Sequence, residues 1–510
     1  MAAGALTGTD LGNAARSSTL GVVGAVASAV LGAVFTVLVT RGVDRDTAGV
    51  FFAATSVFVL LYTVARLGTG TGVVYFFSRH RALGSPELLW PTLRTATVPV
   101  ATVAVALGTA LFVAAPRVAA VIGAGTAGVA PLRVLAVFVP PAALSDLFLA
   151  AAWGCGRVRP LVVVDRIGRP ALQVLGGVVA LGAGWAVSVT LPLAWAGPYL
   201  VAVVVAVVWL RRLMPVARGA GEGGDGFRAF TAPRAEGGDG FWTFTAPRAL
   251  GSVAQLALQR LDIVLLAALA GPAAAGVYTA ATRFLVFGQL GGQALGTGVQ
   301  HRFGTLFALG DRAAAGELYR TATAWLMLLT WPLYLLFALY SPYVLAIFGR
   351  GYGAGEPVMV LLALTMLVAT GCGMVDIVLN MAGRTTWTLG NAAGALVVNV
   401  VLNLLLIPRL GILGAAVAWA AAIAVNNLVP LAQLGWSLGL HPFGRGTAAA
   451  GVLAVLAFGA VPGAAALVLG RSLPVLVGST VAGGVLYAAG LWAARDALRL
   501  SALRALRRRT

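Results

Sequence analysis

The sequence contains no lysine, and charged residues of every kind make up only 10% of its 510 residues. A soluble domain carries about 25% charged residues, so most of this chain cannot face water. The absence of lysine excludes the Gly-x-x-x-x-Gly-Lys loop of nucleotide-binding proteins, so ATP hydrolysis by this chain is not predicted. Two cysteines, Cys155 and Cys372, and three scattered histidines offer neither a disulfide framework nor metal-ligand spacing. No metal and no cofactor are therefore predicted.

The chain is instead rich in apolar residues, which make up 60% of it and give a mean hydropathy of +0.93. Crossing a bilayer takes about 20 apolar residues in a helix. Such stretches recur along the whole sequence, and the first, from about Leu20 to Thr40, is too long for a signal-peptide core. The predicted fold class is an all-α polytopic membrane protein of about 14 transmembrane helices, with 12 or 13 as the alternatives.

Two halves of the chain repeat one another. Residues 48–55 (AGVFFAAT) return as residues 275–282 (AGVYTAAT), an offset of 227, and Gly156-Arg157 returns as Gly383-Arg384 at the same offset. Chance matching among small apolar residues is the alternative interpretation. The offset covers six predicted helices, so the pattern favours two parallel six-helix lobes around a central cavity. Transporters that rock two halves about one site are built in this way.

The repeat and the apolar stretches together predict an order of segments along the chain. They are an N-terminal segment (1–18), an N-terminal six-helix lobe (19–210), a linker (211–245), a C-terminal six-helix lobe (246–437), two extra transmembrane helices (446–494) and a basic tail (495–510). Around the linker, residues 222–234 recur as residues 236–248. A regulatory segment is one interpretation of this duplication, and slippage within a tolerant Gly-rich linker is the favoured one.

The arginines predict the orientation in the membrane. With the N-terminus inside, 25 of the 35 arginines lie in cytoplasmic segments and 7 in external ones. Cytoplasmic loops carry such an excess of basic residues, so both termini are predicted to be cytoplasmic. The net charge of +19 then indicates contact with anionic membrane lipids, above all for the tail, and no nucleic acid.

Polar residues in two predicted spans mark a candidate substrate cavity. Gln255, Gln259 and Asp262 fall within about 60° on one helical face. Gln289, Gln293 and Gln300 fall within about 40° on a face of the next span. Facing stripes of this kind suggest a hydrated cavity, and hydrogen bonding that only locks the helices together is the alternative.

Ionisable residues inside spans are further site candidates, because burying a charge in a membrane is expensive. Arg283 could grip a phosphate with its fork of donors, or pair with Asp262 as a structural ion pair. Arg260 lies about 160° from Asp262 on the helical wheel, and Arg66 is interpreted as an anchor near a helix end.

Asp146 and Asp376 lie in spans that the repeat makes equivalent. A buried carboxylate can take up a proton or a sodium ion, which would couple transport to an ion gradient. The alternative is a satisfied structural pair that holds the bundle together.

Short motifs follow the spans along nearly the whole chain. They are Thr40-Arg41-Gly42 through Gly49-Val50-Phe51, Gly154-Cys155-Gly156-Arg157, Phe241-Trp242 before Arg260-Leu261-Asp262, Gly271-Pro272 with Gly276-Val277-Tyr278, Phe348-Gly349-Arg350-Gly351-Tyr352, and Asn403 through Ala416. In these motifs the chain resembles the polysaccharide exporters, or Wzx-type oligosaccharide flippases, of the multidrug/oligosaccharidyl-lipid/polysaccharide (MOP) superfamily. The resemblance implies a bacterial plasma-membrane protein that moves undecaprenyl-diphosphate-linked oligosaccharides to the outer leaflet by alternating access, for cell-surface polysaccharide synthesis.

The resemblance also implies a cationic cavity that matches the diphosphate, for which Arg283 is the nearest candidate, and other membrane proteins of polysaccharide assembly as partners. An ion-coupled multidrug antiporter of the same superfamily and a lipid II flippase are the alternative functions. A membrane-embedded glycan ligase or polymerase is disfavoured, since no external loop longer than about fifteen residues is predicted to hold catalytic groups. The chain is therefore not predicted to be an enzyme.

Overall fold

The structure is a computed structural model that describes residues 8–184, 186–214 and 238–499. Over these residues the regular secondary structure is helical and contains no strand. A helix satisfies all of its backbone hydrogen bonds internally, which is what an apolar chain in a bilayer requires. Most of the linker duplication and the basic tail from residue 500 onward lie outside the described residues.

Twenty-one α-helices follow one another along the described residues. They are α1 (Gly8–Gly42), α2 (Arg45–Ala65), α3 (Thr69–Ala82), α4 (Leu89–Val121), α5 (Val129–Val137), α6 (Val139–Gly154), α7 (Arg169–Gly182), α8 (Val187–Ala196), α9 (Pro198–Leu213), α10 (Gly238–Ala270), α11 (Pro272–Thr282), α12 (Leu285–Ala308), α13 (Arg312–Leu339), α14 (Ser341–Ala346), α15 (Glu356–Gly371), α16 (Val375–Met381), α17 (Thr385–Leu410), α18 (Ile412–Leu438), α19 (Arg445–Ala454), α20 (Val461–Leu469) and α21 (Leu473–Ala493). Two π-helical segments, Leu161–Gly168 and Val455–Ala460, lead into α7 and α20.

Twelve helical stretches of the described residues are long and apolar enough to cross a membrane. The chain is therefore a multi-pass, all-α membrane protein, as predicted, but the count of 14 is not confirmed. The two predicted spans that are not among the twelve carry more polar residues. Residues 161–182 contain Asp165, Arg166 and Arg169, and α12 contains three glutamines and several glycines.

The described residues group into two compact units. The first unit is Arg16–Gly276, and the second is Val277–Thr510 together with Met1–Ala15. Several spans are built from two helices joined by a break, among them α2 with α3, α5 with α6, and α15 with α16. Breaks inside spans expose backbone groups and are tolerated where protein or water satisfies them.

The repeated motif has a packing role in the first unit. Its two glycines, Gly49 on α2 and Gly276 on α11, lie against each other, because a Cβ on Gly276 would be 3.3 Å from the Gly49 nitrogen. A Cβ on Gly49 would overlap the carbonyl oxygen of Pro272. Small residues let helix backbones approach closely in membranes, and this contact gives a physical reason for glycine at both copies.

Asp44 starts α2 as an N-cap. Its Oδ1 accepts a hydrogen bond of 2.9 Å from the Thr47 backbone N–H, and its Oδ2 accepts one of 2.6 Å from the Thr47 hydroxyl. These bonds favour the ionised form and lower the pKa of the Asp44 carboxyl.

Candidate functional site

The break between α2 and α3 places Arg66 inside the first unit. Leu67 and Gly68 both adopt positive φ angles, 50° and 70°, and Thr69 starts α3 by donating a hydrogen bond of 2.7 Å to the Arg66 carbonyl. A Cβ on Gly68 would lie 2.8 Å from the backbone nitrogen of Ala249, so only glycine lets α10 pass this close. A non-glycine residue such as Leu67 in the left-handed region is strained, and such strain clusters at functional sites.

Arg66 forms an ion pair with Asp146 on α6. The distance between Arg66 Nη1 and Asp146 Oδ2 is 2.8 Å, and the two side chains are 31% and 21% exposed. The interpretation of Arg66 as an anchor at a helix end is thus replaced by an ion pair between two spans. In a membrane this arrangement lowers the penalty that either charge alone would carry.

A second ion pair lies near the first. Arg169 Nη2 is 2.9 Å from Asp165 Oδ1, one helical turn away, at the junction of the π-helical segment with α7. Asp146 is within electrostatic range of both residues. The π-helical turn aligns this pair differently from a regular helix, and such turns are frequent at functional sites.

Two tyrosines complete this group of side chains. The Arg169 guanidinium carbon is 4.9 Å from the centroid of the Tyr199 ring, and the Tyr199 ring is 6.1 Å from that of Tyr62. Arg260 of α10 is within electrostatic range of both tyrosine hydroxyls. We call the group the N-unit polar cluster. Its members are Tyr62, Arg66, Asp146, Asp165, Arg169, Tyr199 and Arg260.

Sequence reasoning found part of this cluster. The sequence marked Asp146, Arg260 and Arg66, whereas Asp165 and Arg169 were not predicted as site residues. The sequence does contain a signal for these residues, because Asp165, Arg166 and Arg169 are three charged residues within positions 161–169 of a predicted span. The tyrosines carried no signal, since an aromatic residue in a span is ordinary.

The residues of the predicted polar stripe on α10 differ in solvent exposure. Gln255 and Gln259 are exposed on the surface of the first unit, whereas Asp262 is only 2% exposed. Arg260 is half-buried. Ala257, Leu258, Ile263 and Leu266 of α10 are buried as well. Amide groups exposed on a membrane-spanning helix favour contact with water over contact with lipid.

The other predicted cavity residues belong to the second unit. Arg283 lies at the break between α11 and α12, where its backbone N–H donates to the Ala280 carbonyl over 3.3 Å. Gln289 is half-buried and Gln293 is exposed, both on α12. The predicted cavity residues are therefore divided between the two units.

Asp376 lies at a break inside a span of the second unit. The chain leaves the α-helix at Cys372, passes through Gly373 with a φ of 76°, and enters α16 at Val375. The Tyr319 hydroxyl donates a hydrogen bond of 2.5 Å to the Cys372 carbonyl and is within electrostatic range of Asp376.

The surroundings of the two predicted coupling carboxylates differ. Asp146 has a cationic partner, whereas the buried Asp376 Oδ1 has no hydrogen-bond partner among the described residues. A buried oxygen of this kind is expensive to leave unmatched, which makes it a candidate position for a proton or a cation. Among the described residues no three His, Cys, Asp or Glu side chains group as they would around a bound metal ion.

Comparisons with known proteins bear on the whole chain. Residues 14–299 match the profile of the polysaccharide biosynthesis protein family, and residues 247–405 match the MatE profile. No significant match to a curated protein was found.

Solved structures share the fold. One is "Lipid II flippase MurJ, inward closed conformation", with a TM-score of 0.69 and 12% identity over 93% of this chain and 99% of that one. Another is an inward-facing multidrug resistance MATE transporter of the MOP superfamily, with a TM-score of 0.65 and 15% identity over 81% of this chain and 94% of that one.

A third is a MOP superfamily transporter from Pyrococcus furiosus whose description notes a reversed polarity of the binding pocket, with a TM-score of 0.56 and 15% identity over 84% of this chain and 96% of that one. The family profile covers more than half of the sequence. The chain therefore belongs to the polysaccharide biosynthesis protein family, and its fold is that of the flippases and transporters of the MOP superfamily.

Proposed function

We propose that the protein is a flippase that moves an undecaprenyl-diphosphate-linked oligosaccharide across the bacterial plasma membrane for cell-surface polysaccharide synthesis. The observation that carries this proposal is the match of residues 14–299 to the polysaccharide biosynthesis protein family in a chain with the fold of flippases. The substrate is amphiphilic, so the protein has to offer water to its head group and lipid to its tail.

The polar surface of α10 suits the head group. Gln255 and Gln259 are exposed and can exchange hydrogen bonds with sugar hydroxyls as the head group passes. We assign attraction of the diphosphate to Arg260 and Arg283, because a guanidinium donates two parallel hydrogen bonds to a phosphate. The polyprenyl tail stays in the lipid while the path opens first to one side of the membrane and then to the other.

The direction follows from the arginines. Their excess in segments on one side of the membrane supports cytoplasmic termini, with the predicted linker (211–245) on the same side. The substrate then enters from the cytoplasmic leaflet, where lipid-linked precursors are assembled, and leaves in the outer leaflet.

Asp376 is the residue that we assign to ion coupling. Its buried Oδ1 without a hydrogen-bond partner among the described residues, at a break in a span, supports uptake of a proton or sodium ion. Asp146 is the second candidate, but its ion pair with Arg66 already neutralises the carboxylate. A proton or cation at Asp376 would neutralise an otherwise uncompensated charge and so favour one state of the transport cycle.

Two other functions have specific support. The MatE profile matches residues 247–405, which supports an ion-coupled multidrug antiporter. The structural neighbour named as a lipid II flippase supports the peptidoglycan precursor as substrate. Both would use the same fold and differ in the molecule that enters the path.

Mass analysis of lipids from cells with and without the gene distinguishes the three functions. The flippase proposal expects an undecaprenyl-diphosphate oligosaccharide to accumulate in the deletion strain and to disappear when the gene is restored. Accumulation of lipid II alone would reassign the substrate to the peptidoglycan precursor. An unchanged lipid profile with greater sensitivity to small cationic toxins would contradict the flippase proposal and support the antiporter.

Variants extend this experiment to the proposed path. Arg283→Ala and Arg260→Ala are expected to restore transport poorly, since each removes a phosphate donor. Arg133→Ala is the matched control, because the Arg133 guanidinium carbon lies 5.4 Å from the centroid of Phe112, an exposed residue of the apolar helix α4. Equal complementation by all three variants would remove the arginines from the mechanism.

A further inference from the structure

Three side chains of the first unit form a continuous stack. The rings of Tyr75 on α3 and Phe244 on α10 have centroids 4.4 Å apart and planes 17° apart. The guanidinium carbon of Arg248 lies 3.7 Å from the same Phe244 centroid. Two groups this close to one ring occupy its opposite faces, so the order is Tyr75, Phe244, Arg248. We call these three residues the aromatic stack.

The aromatic stack is held in place by the packing of α3 against α10. A Cβ on Gly72 would overlap the Thr245 hydroxyl oxygen, so the side chains of α10 lie directly against the α3 backbone. Phe76 packs edge-on against Phe244, with centroids 5.8 Å apart and planes at 87°. Arg248 Nη1 donates a hydrogen bond of 2.6 Å to the Phe244 carbonyl. The stack is therefore preorganised, and Tyr75 is 46% exposed at its outer end.

The surface around the stack is polar. The exposed residues one turn from Tyr75 on α3 are Thr71, Ser78 and Arg79, and those that continue from Arg248 along the same side of α10 are Ser252, Gln255 and Gln259. The exposed residues of α4, by contrast, include Val98, Val105, Phe112 and Val113, as expected of a helix that faces lipid. A polar exposed face on a membrane-spanning helix lines water. Tyr75, which is 46% exposed, is therefore open to a water-borne ligand.

From this arrangement we propose that the aromatic stack binds a pyranose ring of the glycan head group. The proposal rests on the proposed function, of which it names one subsite. The face of an aromatic ring carries negative charge density, and the axial C–H hydrogens of a pyranose, which are weakly positive, meet it favourably. Ser78, one turn from Tyr75, offers a hydroxyl for the ring's own hydroxyl groups.

The charges beside the stack select the class of ligand. Aromatic faces also attract organic cations. Here, however, Arg79 lies one turn from Tyr75, and Arg248 forms the other end of the stack. Two positive charges disfavour a cationic drug and favour a neutral or phosphorylated sugar.

The test compares two lipids that differ only in the sugar. Purified full-length protein in lipid nanodiscs is titrated with undecaprenyl-diphosphate N-acetylglucosamine and with undecaprenyl diphosphate. Tyr75→Ala and Tyr75→Leu are expected to weaken binding of the sugar-bearing lipid about tenfold, because both remove the aromatic face. Tyr75→Phe keeps the face and is expected to bind like the wild type. Binding of undecaprenyl diphosphate is expected to stay the same in all three variants.

Controls separate this proposal from folding and from the flippase function. Tyr75→Leu keeps an apolar group against Phe244, so it serves if Tyr75→Ala unfolds. Trp436→Ala removes an aromatic residue that is 74% exposed in the second unit, and it is expected to change neither affinity. The subsite proposal would be overturned if Tyr75→Ala and Tyr75→Leu weakened the binding of both lipids equally, or weakened neither. Equal binding of the two lipids by the wild type would also overturn it. A wrong flippase proposal would be recognised separately, because the deletion strain would then accumulate no lipid-linked glycan.

Discussion

Arg66 and Asp146 are 80 residues apart in the chain and form a 2.8 Å ion pair between two spans of the first unit. Arg66 directly follows α2, where the chain breaks before α3, and Asp146 lies in the middle of α6. The pair thus ties the break to a continuous helix and holds both charges in a segment where neither would be stable alone.

Removing either partner should destabilise the protein by leaving the other charge uncompensated. We expect Arg66→Ala and Asp146→Ala each to lower the free energy of unfolding by about 2–3 kcal/mol. The double variant should lose less than the sum of the two. Thermal unfolding in detergent measures these differences. Glu317→Ala is the control, since it breaks an exposed ion pair with Arg499 and should change the stability far less. Single variants as stable as the wild type would contradict the role of the pair.

The contact between the repeated glycines predicts a large effect of a single methyl group. Gly49→Ala should destabilise the first unit by about 1–3 kcal/mol, since the new Cβ would overlap the carbonyl oxygen of Pro272. Gly32→Ala on α1 has nothing within 4 Å of the new Cβ, and it should be neutral or slightly stabilising. Thermal unfolding of the two variants, measured side by side, checks this. A Gly49→Ala protein with wild-type stability would show that α2 and α11 do not pack as described.

Asp44 predicts a pH dependence with a defined sign. Its pKa is lower in the folded protein than in the unfolded chain, so its N-cap stabilises above the unfolded pKa and loses this effect as the pH falls through the folded value. Asp44→Ala should cost about 1 kcal/mol at neutral pH, and the difference from the wild type should vanish in acid.

Asp44→Asn is the matched control for this N-cap. Asparagine caps helices about as well as aspartate but does not titrate in this range, so stability at neutral pH should be close to that of the wild type. An Asp44→Ala difference that persists unchanged into acid would show that the carboxylate is not the capping group.

Ion coupling at Asp376 predicts a loss of gradient dependence. Asp376→Asn has nearly the same shape but cannot change its charge, so transport should no longer respond to the proton or sodium gradient across vesicles that contain the protein. The measurement is flipping of a lipid-linked oligosaccharide in such vesicles with each gradient in turn. Asp146→Asn is the comparison, and it should lose stability rather than gradient dependence. A gradient response that survives Asp376→Asn would move the coupling site elsewhere.

The fold class was predictable because membrane insertion depends on local composition. Twenty apolar residues in a row are visible in the sequence whatever surrounds them, and a helix is the structure that satisfies their backbone. The predicted count of 14 exceeded the twelve apolar spans, because the segments with Asp165, Arg166 and Arg169 and with the glutamines of α12 are less apolar than their neighbours. The matching stretches of the two halves could also be read directly, because a repeat is a property of the residue order along the chain.

The sequence by itself determined that this is a multi-pass helical membrane protein, and it marked the ionisable residues inside the spans, because the bilayer makes each of them exceptional. Only the tertiary structure decided that Arg66 is the partner of Asp146, that Arg169 and Tyr199 lie beside them, and that Tyr75 stacks on Phe244. These contacts join residues far apart in the chain. They depend on how each helix is rotated and where it breaks, which is set by the packing of small residues such as Gly68 and Gly72 between helices.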